Sequence, residues 1–262
     1  RLVKGRKIME TLGIIGYGEM GSMLVRGFLS VGALQPDEIV VSSRSKGSLD
    51  ECVTAWPEIG IAPTNADLAR RCHTIIIAVE PQGIIPLLHE IGPVMDGDEY
   101  IVSLAAGIDL ECLEAEFAGS VSRVVPTITS MVCQGLTLIC HGHRVSIDDA
   151  SWIEELFSTI GDVMLIDEDE IPAATLLSSC GPGLLATMIE EMAEAVARVG
   201  GLSTDRALSL TTKMVVATAT YIEKTDEPPA DLIRRVATAG GVTETGVQEL
   251  REQLPATFDK TF

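Results

Sequence analysis

Hydrophobic positions follow two different rhythms along this chain. Up to about residue 167, short apolar runs alternate with stretches spaced as amphipathic helices. Leu12, Ile14 and Ile15 lead into Gly16, and Met20, Met23, Leu24 and Phe28 then recur at helical spacing. Further strands are predicted at Glu38–Ser42, His73–Val79, Glu99–Leu104, Val121–Val125, Leu136–Cys140 and Asp162–Ile166. Residues 47–72 read as helix, short strand and helix, with Asn65 at a helix start. Helices are also expected between Gln82 and Ile91 and over 148–159. The run from His73 to Val79 is almost wholly apolar, as a strand covered on both faces requires. Strands alternating with helices predict an α/β fold, a Rossmann-type doubly wound parallel sheet. Its ligand lies over the C-terminal strand ends, so Gly16, Ser43, Val79, Ala105 and Pro126 should converge.

From about Glu168 the strand signals stop, and helices are predicted at 184–200, 203–222, 229–237 and 240–253. Leu184, Leu185, Met188, Ile189, Met192 and Val196 form a stripe around Ala186, Ala193 and Ala197. A helical half this short and this apolar can cover that face with a second copy, which predicts a homodimer or higher homo-oligomer; packing against the first domain alone is the alternative. The expected domains are 1–167, dinucleotide-binding, and 168–262, an all-α dimerisation and substrate domain.

The first strand-to-helix junction carries Gly16-Tyr17-Gly18-Glu19-Met20-Gly21, a G-x-G-x-x-G pattern. Gly16 permits a tight turn, Gly18 lets backbone approach a pyrophosphate, and Gly21 lets the helix pack close to the strand. The helix's unbonded N–H groups would then face the phosphates. At the end of the second strand an NAD site usually carries an acid for the ribose 2′-hydroxyl. This chain carries Ser43-Arg44-Ser45-Lys46 instead, a set suited to a 2′-phosphate. NADP(H) is therefore the expected cofactor, with NAD(H) second.

The net charge of −19 over 262 residues argues against nucleic acid and anionic membrane as partners. It also means that an anionic cofactor depends on helix ends and a few arginines. No apolar run approaches the roughly 20 residues of a membrane span, and no secretory signal pattern is visible. Arg1 to Lys7 form a basic opening before Met9, so residues 1–8 read as a short extension. The 6 cysteines form no Cys-x-x-Cys pair and read as buried thiols in a reducing cytoplasm, the expected location. His141 and His143 lack a third ligand, so no metal site is expected.

In the second half, Ser178 to Gly183 precede the long helix, and Thr238-Ala239-Gly240-Gly241-Val242-Thr243 opens the last one. Paired glycines at a helix start offer bare N–H groups that can hold a carboxylate, and Thr243 adds a hydroxyl. A tight interhelical turn accounts for the same residues.

These pieces resemble the pyrroline-5-carboxylate reductase family from Gly13 to about Leu250. The resemblance rests on Ile15 to Met20, Asn65, Ala78 to Gln82, Ser103 to Gly107, Arg123 to Pro126, Ser178 to Gly183, Gly200 to Leu202, Pro229 to Leu232 and Thr238 to Thr243. That family reduces the C=N bond of a cyclic imino acid with NAD(P)H, and its members dimerise by swapping C-terminal helices. The resemblance implies a cofactor held by Ile15, Gly16, Tyr17, Gly18, Glu19, Met20, Ser43, Arg44, Asn65, Ala78, Val79, Glu80, Pro81, Ala105 and Gly107. It implies a substrate held by Gly240, Gly241, Val242 and Thr243, with Thr243 as the catalytic residue near the imine nitrogen. Glu80 stands where the family usually has Lys, Thr127-Ile128-Thr129 where it has Asn-Thr-Pro, and Thr238-Ala239 where it has Ser-Pro. The family's final helix is expected to be missing, since the sequence stops at Phe262.

A protonated imine is already electrophilic, so such a site needs placement more than acid catalysis. The rival readings are a β-hydroxyacid-type dehydrogenase and a non-catalytic NADP-binding regulatory or assembly protein. The first places a Lys after the glycine-rich segment, and Gly181 to Glu190 contain none.

Overall fold

The computed structural model describes residues 11–262; the extension over residues 1–8 lies outside them. By contacts the chain divides into two compact units, which meet in sequence at Pro182 and Gly183.

The first unit is built on eight strands: β1 Leu12–Ile15, β2 Ile39–Ser42, β3 Gly60–Ile61, β4 Thr74–Ile77, β5 Tyr100–Ser103, β6 Ser120–Val125, β7 Gly135–His141 and β8 Gly161–Leu165. Its helices are α1 Glu19–Ser30, α2 Lys46–Ala55, α3 Asn65–Ala69, α4 Ile84–Ile91, α5 Leu110–Glu116, α6 Ile147–Ser158 and α7 Ile171–Thr175. Strand order across the sheet is β3-β2-β1-β4-β5-β6-β7-β8. From β3 to β6 all neighbours run parallel, but β7 is antiparallel to β6. The sheet is the expected doubly wound parallel one, with this single antiparallel pair. A parallel return needs a crossover of a dozen or more residues. Between Val125 and Gly135 the chain has only a short 3₁₀ turn, Ile128–Val132, closed by Cys133 in the left-handed region.

Every residue of β1, β2, β4 and β5 is buried, because helices cover both faces. On one face Phe28 of α1 meets Phe157 of α6 edge to face, centroids 5.5 Å apart. On the other, Leu68, Leu87, Leu88 and Leu113 close over Ile75, Ile77 and Ile101. Each such fully buried side chain contributes about 1.5–3 kcal/mol. Side-chain caps fix several helix starts: Ser45 for α2, Asp109 for α5 and Ser146 for α6. Thr64, not Asn65, caps α3; its hydroxyl accepts from the Asp67 N–H, and Asn65 becomes the first helical residue.

The second unit takes up α8 Gly181–Gly200 from Gly183 on and contains α9 Thr204–Thr225, α10 Pro229–Val236 and α11 Val242–Thr261. Gly201 at φ +70° stops α8, and the Ser203 hydroxyl caps α9 by accepting from the Arg206 N–H. Helix α11 runs through Pro255 to Thr261, well past the expected end at 253. This unit buries little on its own. Leu185, Met188, Met192, Val196, Val199 and Met214 are all at least 40% exposed. Its apolar stripe therefore lacks cover within one chain, as a helix that packs on a second copy would.

Two further expectations are corrected. Residues Ile171–Gly200 are helical throughout, through the π-turn Leu176–Cys180, and reach bilayer-spanning length and apolarity where none was expected. Of the cysteines, Cys52, Cys72 and Cys140 are buried, but Cys112 and Cys180 are exposed.

Candidate functional site

Strand register builds the site in the first unit. Ile15 pairs with Ser42 on one side and Ile77 on the other, and Ile77 pairs with Ser103. The loops that begin at Gly16, Ser43, Ala78 and Leu104 therefore leave one edge of the sheet together. Three backbone bonds knit them at their base: Gly16 N–H to Ser42 O and Ala78 N–H to Ile15 O, both 2.8 Å, and Leu104 N–H to Ile77 O, 3.1 Å. The strands stop short of Ala78-Val79 and Ala105, which frees those residues to turn over the edge.

The three glycines have distinct jobs. Gly16 sits at φ +101°, and a β-carbon there would stand 2.4 Å from the Ala78 carbonyl oxygen. A β-carbon on Gly21 would stand 2.0 Å from the Gly16 carbonyl oxygen. Both contacts are impossible, so both positions must be glycine for α1 to meet β1 and β4 this closely. Gly18 is different: a β-carbon there meets nothing within 4 Å. Gly18 is exposed, and the space over it is open. Gly18 is the N-cap of α1 and supplies no capping side chain, so the first amides of α1 are left without one. Bare helix amides behind an open glycine form a cradle for a phosphate pair. The residues present thus fit a dinucleotide.

The other expected cofactor residues fall into three groups. Tyr17 points into the core, 4% exposed beside Cys52, and burial pushes its phenol pKa well up; only its backbone can face a ligand. Ile15, Met20 and Ala105 likewise contribute packing, while Glu19 and Pro81 are exposed at the edge. Val79 packs behind the turn, and Gly107 at φ +81° turns the loop after β5. Glu80 is exposed and bonded to the Gln82 side-chain amide. Beyond β2, Ser43 is half-buried, its hydroxyl accepts from the Ser45 N–H at 3.3 Å, and Arg44 is exposed with no ion pair among the described residues. Asn65 accepts from the Ser42 hydroxyl at 2.8 Å and donates to Glu90 at 3.0 Å. Sequence reasoning missed Ser42 and Glu90. Only a strand-end hydroxyl signalled the former, and nothing local signalled the latter, which lies 25 residues on from Asn65.

In the second unit the glycine loop has a geometry the sequence did not predict. Gly240 takes φ +75°, and its N–H donates to the Glu244 carboxylate at 2.8 Å. The Gly241 N–H donates to the Thr238 carbonyl at 2.9 Å. The expected pair of bare glycine amides is thus corrected: both are engaged. Gly241 is the N-cap of α11 and offers no side chain, so the amides without a cap belong to the next residues, Val242 and Thr243. Val242 is 92% exposed, and Thr243 is exposed beside it.

Among the described residues no group of three or more His, Cys, Asp and Glu is placed to hold a metal. His141 lies between the Ser122 hydroxyl, 2.7 Å, and Glu154, 3.2 Å; His143 bonds Glu114. An ion pair between buried Arg123 and half-buried Glu168 joins β6 to the segment before α7.

Known proteins match both halves. The family model "NADP oxidoreductase coenzyme F420-dependent" matches residues 11–107, and "Pyrroline-5-carboxylate reductase dimerisation" matches 168–262. Pyrroline-5-carboxylate reductase 3 of Bacillus subtilis (strain 168) is 31% identical over 255 residues, 97% of this chain and 93% of that protein. The chain belongs to the pyrroline-5-carboxylate reductase family. A solved pyrroline-5-carboxylate reductase from Coxiella burnetii is 26% identical, with TM-score 0.86 over 97% of this chain and 94% of that one. The Plasmodium falciparum pyrroline carboxylate reductase, solved with NADP bound, has TM-score 0.85 over 96% of this chain and 92% of its own, at 24% identity. That last likeness speaks for the fold. The uncovered apolar stripe of α8 lies inside the dimerisation match.

Proposed function

We propose that this chain is an NADP-dependent oxidoreductase that reduces the C=N bond of a cyclic imino acid, pyrroline-5-carboxylate to proline or a related cyclic imine. The observation that carries this reading is the 31% identity, over 97% of the chain, with a protein named as that reductase. The cradle at Gly16, Gly18 and Gly21 supports it on physical grounds.

In this reading Gly16 to Met20 and the first amides of α1 hold the pyrophosphate. Ser43, Arg44 and Asn65 hold the adenosine ribose and its 2′-phosphate. Ala78 to Pro81, Ala105 and Gly107 line the way to the nicotinamide, which supplies a hydride when bound. Residues 168–262 form the dimerisation and substrate module, and Gly240 to Thr243 hold the substrate. Thr243 orients the imine nitrogen, and the uncapped amides of Val242 and Thr243 face a carboxylate. The work of these residues is placement and water exclusion, because a protonated imine already accepts hydride at carbon. The assembly is a homodimer or larger, and the location is the cytoplasm.

One observation favours a second substrate reading. The Glu244 carboxylate already occupies the Gly240 N–H, which suits a cyclic imine that carries no carboxylate. NADPH oxidation with pyrroline-5-carboxylate and with unsubstituted 1-pyrroline tests both. Turnover of the first supports the main reading, and turnover of the second alone supports the variant. NADPH binding without turnover of any cyclic imine sinks both and favours a non-catalytic role.

A further inference from the structure

Helix α10 leads into the glycine loop, and none of its 8 residues is buried. An isolated helix this short is marginal in water, so its direction depends on what ties it down. A cluster of three side chains ties it to α9. Arg235, in the last turn of α10, donates through Nη1 to the Tyr221 hydroxyl of α9 at 2.6 Å and to Glu227 Oε2 at 2.9 Å. The Tyr221 hydroxyl donates in turn to Glu227 Oε2. The Arg235 guanidinium stands 5.9 Å from the centroid of the Tyr221 ring. Asp226, at φ +53°, reverses the chain after α9 and sets Glu227 between the two helices. A phenol has one hydrogen to give; it goes to Glu227, and the phenol oxygen receives from Arg235. A single exposed ion pair holds little, but a closed ring of three polar groups with the cation over an aromatic face holds more. The Tyr221 hydroxyl, and then Arg235, hold the Glu227 carboxyl below the usual range; Tyr221 and Glu227 hold the Arg235 guanidinium above its own.

The loop begins at Thr238, three residues past Arg235. On its far side it is fixed to α11, where the Gly240 N–H donates to Glu244 at 2.8 Å. On its near side the Ala237 N–H closes on the Ile233 carbonyl of α10 at 2.9 Å. The loop therefore hangs between two posts, and the three-residue clasp sets where the α10 post stands.

We infer that Arg235 is a positioning residue for the substrate: with Tyr221 and Glu227 it fixes the end of α10, and so holds the Thr238–Thr243 loop in the form that presents the Val242 and Thr243 amides. This inference rests on the reading of that loop as the substrate site, and none of the three clasp residues touches substrate in it. Breaking the clasp lets the loop visit other forms. The competent fraction falls, and the apparent dissociation constant rises in proportion. Once substrate is bound the loop is the same, so KM moves more than kcat.

The test combines amide hydrogen exchange in the loop with steady-state kinetics on pyrroline-5-carboxylate, in the full chain and in Arg235→Ala, Arg235→Lys, Tyr221→Phe and Thr243→Ala. Thermal midpoint and NADPH affinity are the controls. Arg235→Ala should speed exchange at Gly240 and Gly241 at least about fivefold and raise KM about fivefold. Its kcat should stay within about twofold, with midpoint and NADPH affinity kept. Tyr221→Phe keeps the ring and the ion pair but loses the bridging hydroxyl, so it should shift KM the same way by less. Arg235→Lys keeps a cation for Glu227 and should restore most of KM. Unchanged exchange and KM in Arg235→Ala overturn the inference. So does a joint fall in kcat, NADPH affinity and midpoint, which a merely structural role would give. Thr243→Ala separates the inference from its premise. If Thr243→Ala lowers kcat/KM while Arg235→Ala does not, the clasp has no such role and the loop reading stands. If Thr243→Ala leaves the kinetics unchanged, the loop reading falls and the inference falls with it.

Discussion

Gly21 lies so close under Gly16 that a single methyl on it would stand 2.0 Å from the Gly16 carbonyl oxygen. That contact sets how tightly α1 abuts the sheet, and so where the amides of α1 point. Gly18, between them, has open space in place of its side chain. The two glycines should fail differently. Gly21→Ala should lower the thermal midpoint by several degrees, since overpacking costs about 1–3 kcal/mol. Gly18→Ala should keep the midpoint yet weaken NADPH binding at least about tenfold, because its methyl takes up the open space through which the pyrophosphate approaches the backbone. Scanning calorimetry and fluorescence titration check both; a Gly18→Ala chain that binds NADPH normally would refute the cradle.

Thr243 is the hydroxyl offered to the imine nitrogen. Thr243→Ala should lower kcat/KM for pyrroline-5-carboxylate about tenfold, the worth of one lost polar contact of roughly 1.4 kcal/mol. NADPH affinity should not move. Steady-state kinetics with unchanged kcat/KM would take Thr243 out of the site.

Glu244 holds the Gly240 N–H at 2.8 Å and places a negative charge beside the amides that would receive a carboxylate. Glu244→Gln should lower KM for pyrroline-5-carboxylate about threefold or more as that repulsion goes, relative to KM for 1-pyrroline, which carries the same imine but no carboxylate. Equal shifts for both substrates would mean that Glu244 acts only on the loop's shape.

Met192 sits on the α8 stripe at 44% exposure. If that stripe is the dimer seam, Met192→Arg buries an unpaired cation there and should yield monomers at micromolar concentration. Light scattering behind size exclusion gives the answer; a dimer that survives places the seam elsewhere.

Burial raises the Cys72 thiol from 9.0 to about 12, and Cys140 to about 11. The fold thus favours the protonated form. This contribution is complete below about pH 9 and is lost as pH climbs toward the folded values, because the unfolded thiols ionise first. Denaturant midpoints should hold steady to pH 8.5 and then fall. In Cys72→Ala the slope between pH 9 and 12 should be shallower by up to about 1.4 kcal/mol per pH unit. At pH 8, alkylation of the native chain should reach exposed Cys112 and spare Cys72.

Much of this protein was written in local pattern. The β1–turn–α1 junction was legible because three glycines at fixed spacing between an apolar run and a helical stripe admit few structures. The parallel core strands were legible because residues buried on both faces must be apolar throughout. The missing cover of α8 could be read from its stripe. Tertiary structure decided whatever depends on partners far apart in sequence or on backbone direction. The reversal at β7 follows from how little chain links it to β6. Only the sheet register could carry Ser42, Asn65 and Glu90 together from β2, α3 and α4. The glycine loop looked like two bare amides until folding set Gly240 at positive φ, which turned its N–H onto Glu244. Sequence specifies which groups are available, whereas hydrogen-bond partners follow from distances that only the folded chain fixes.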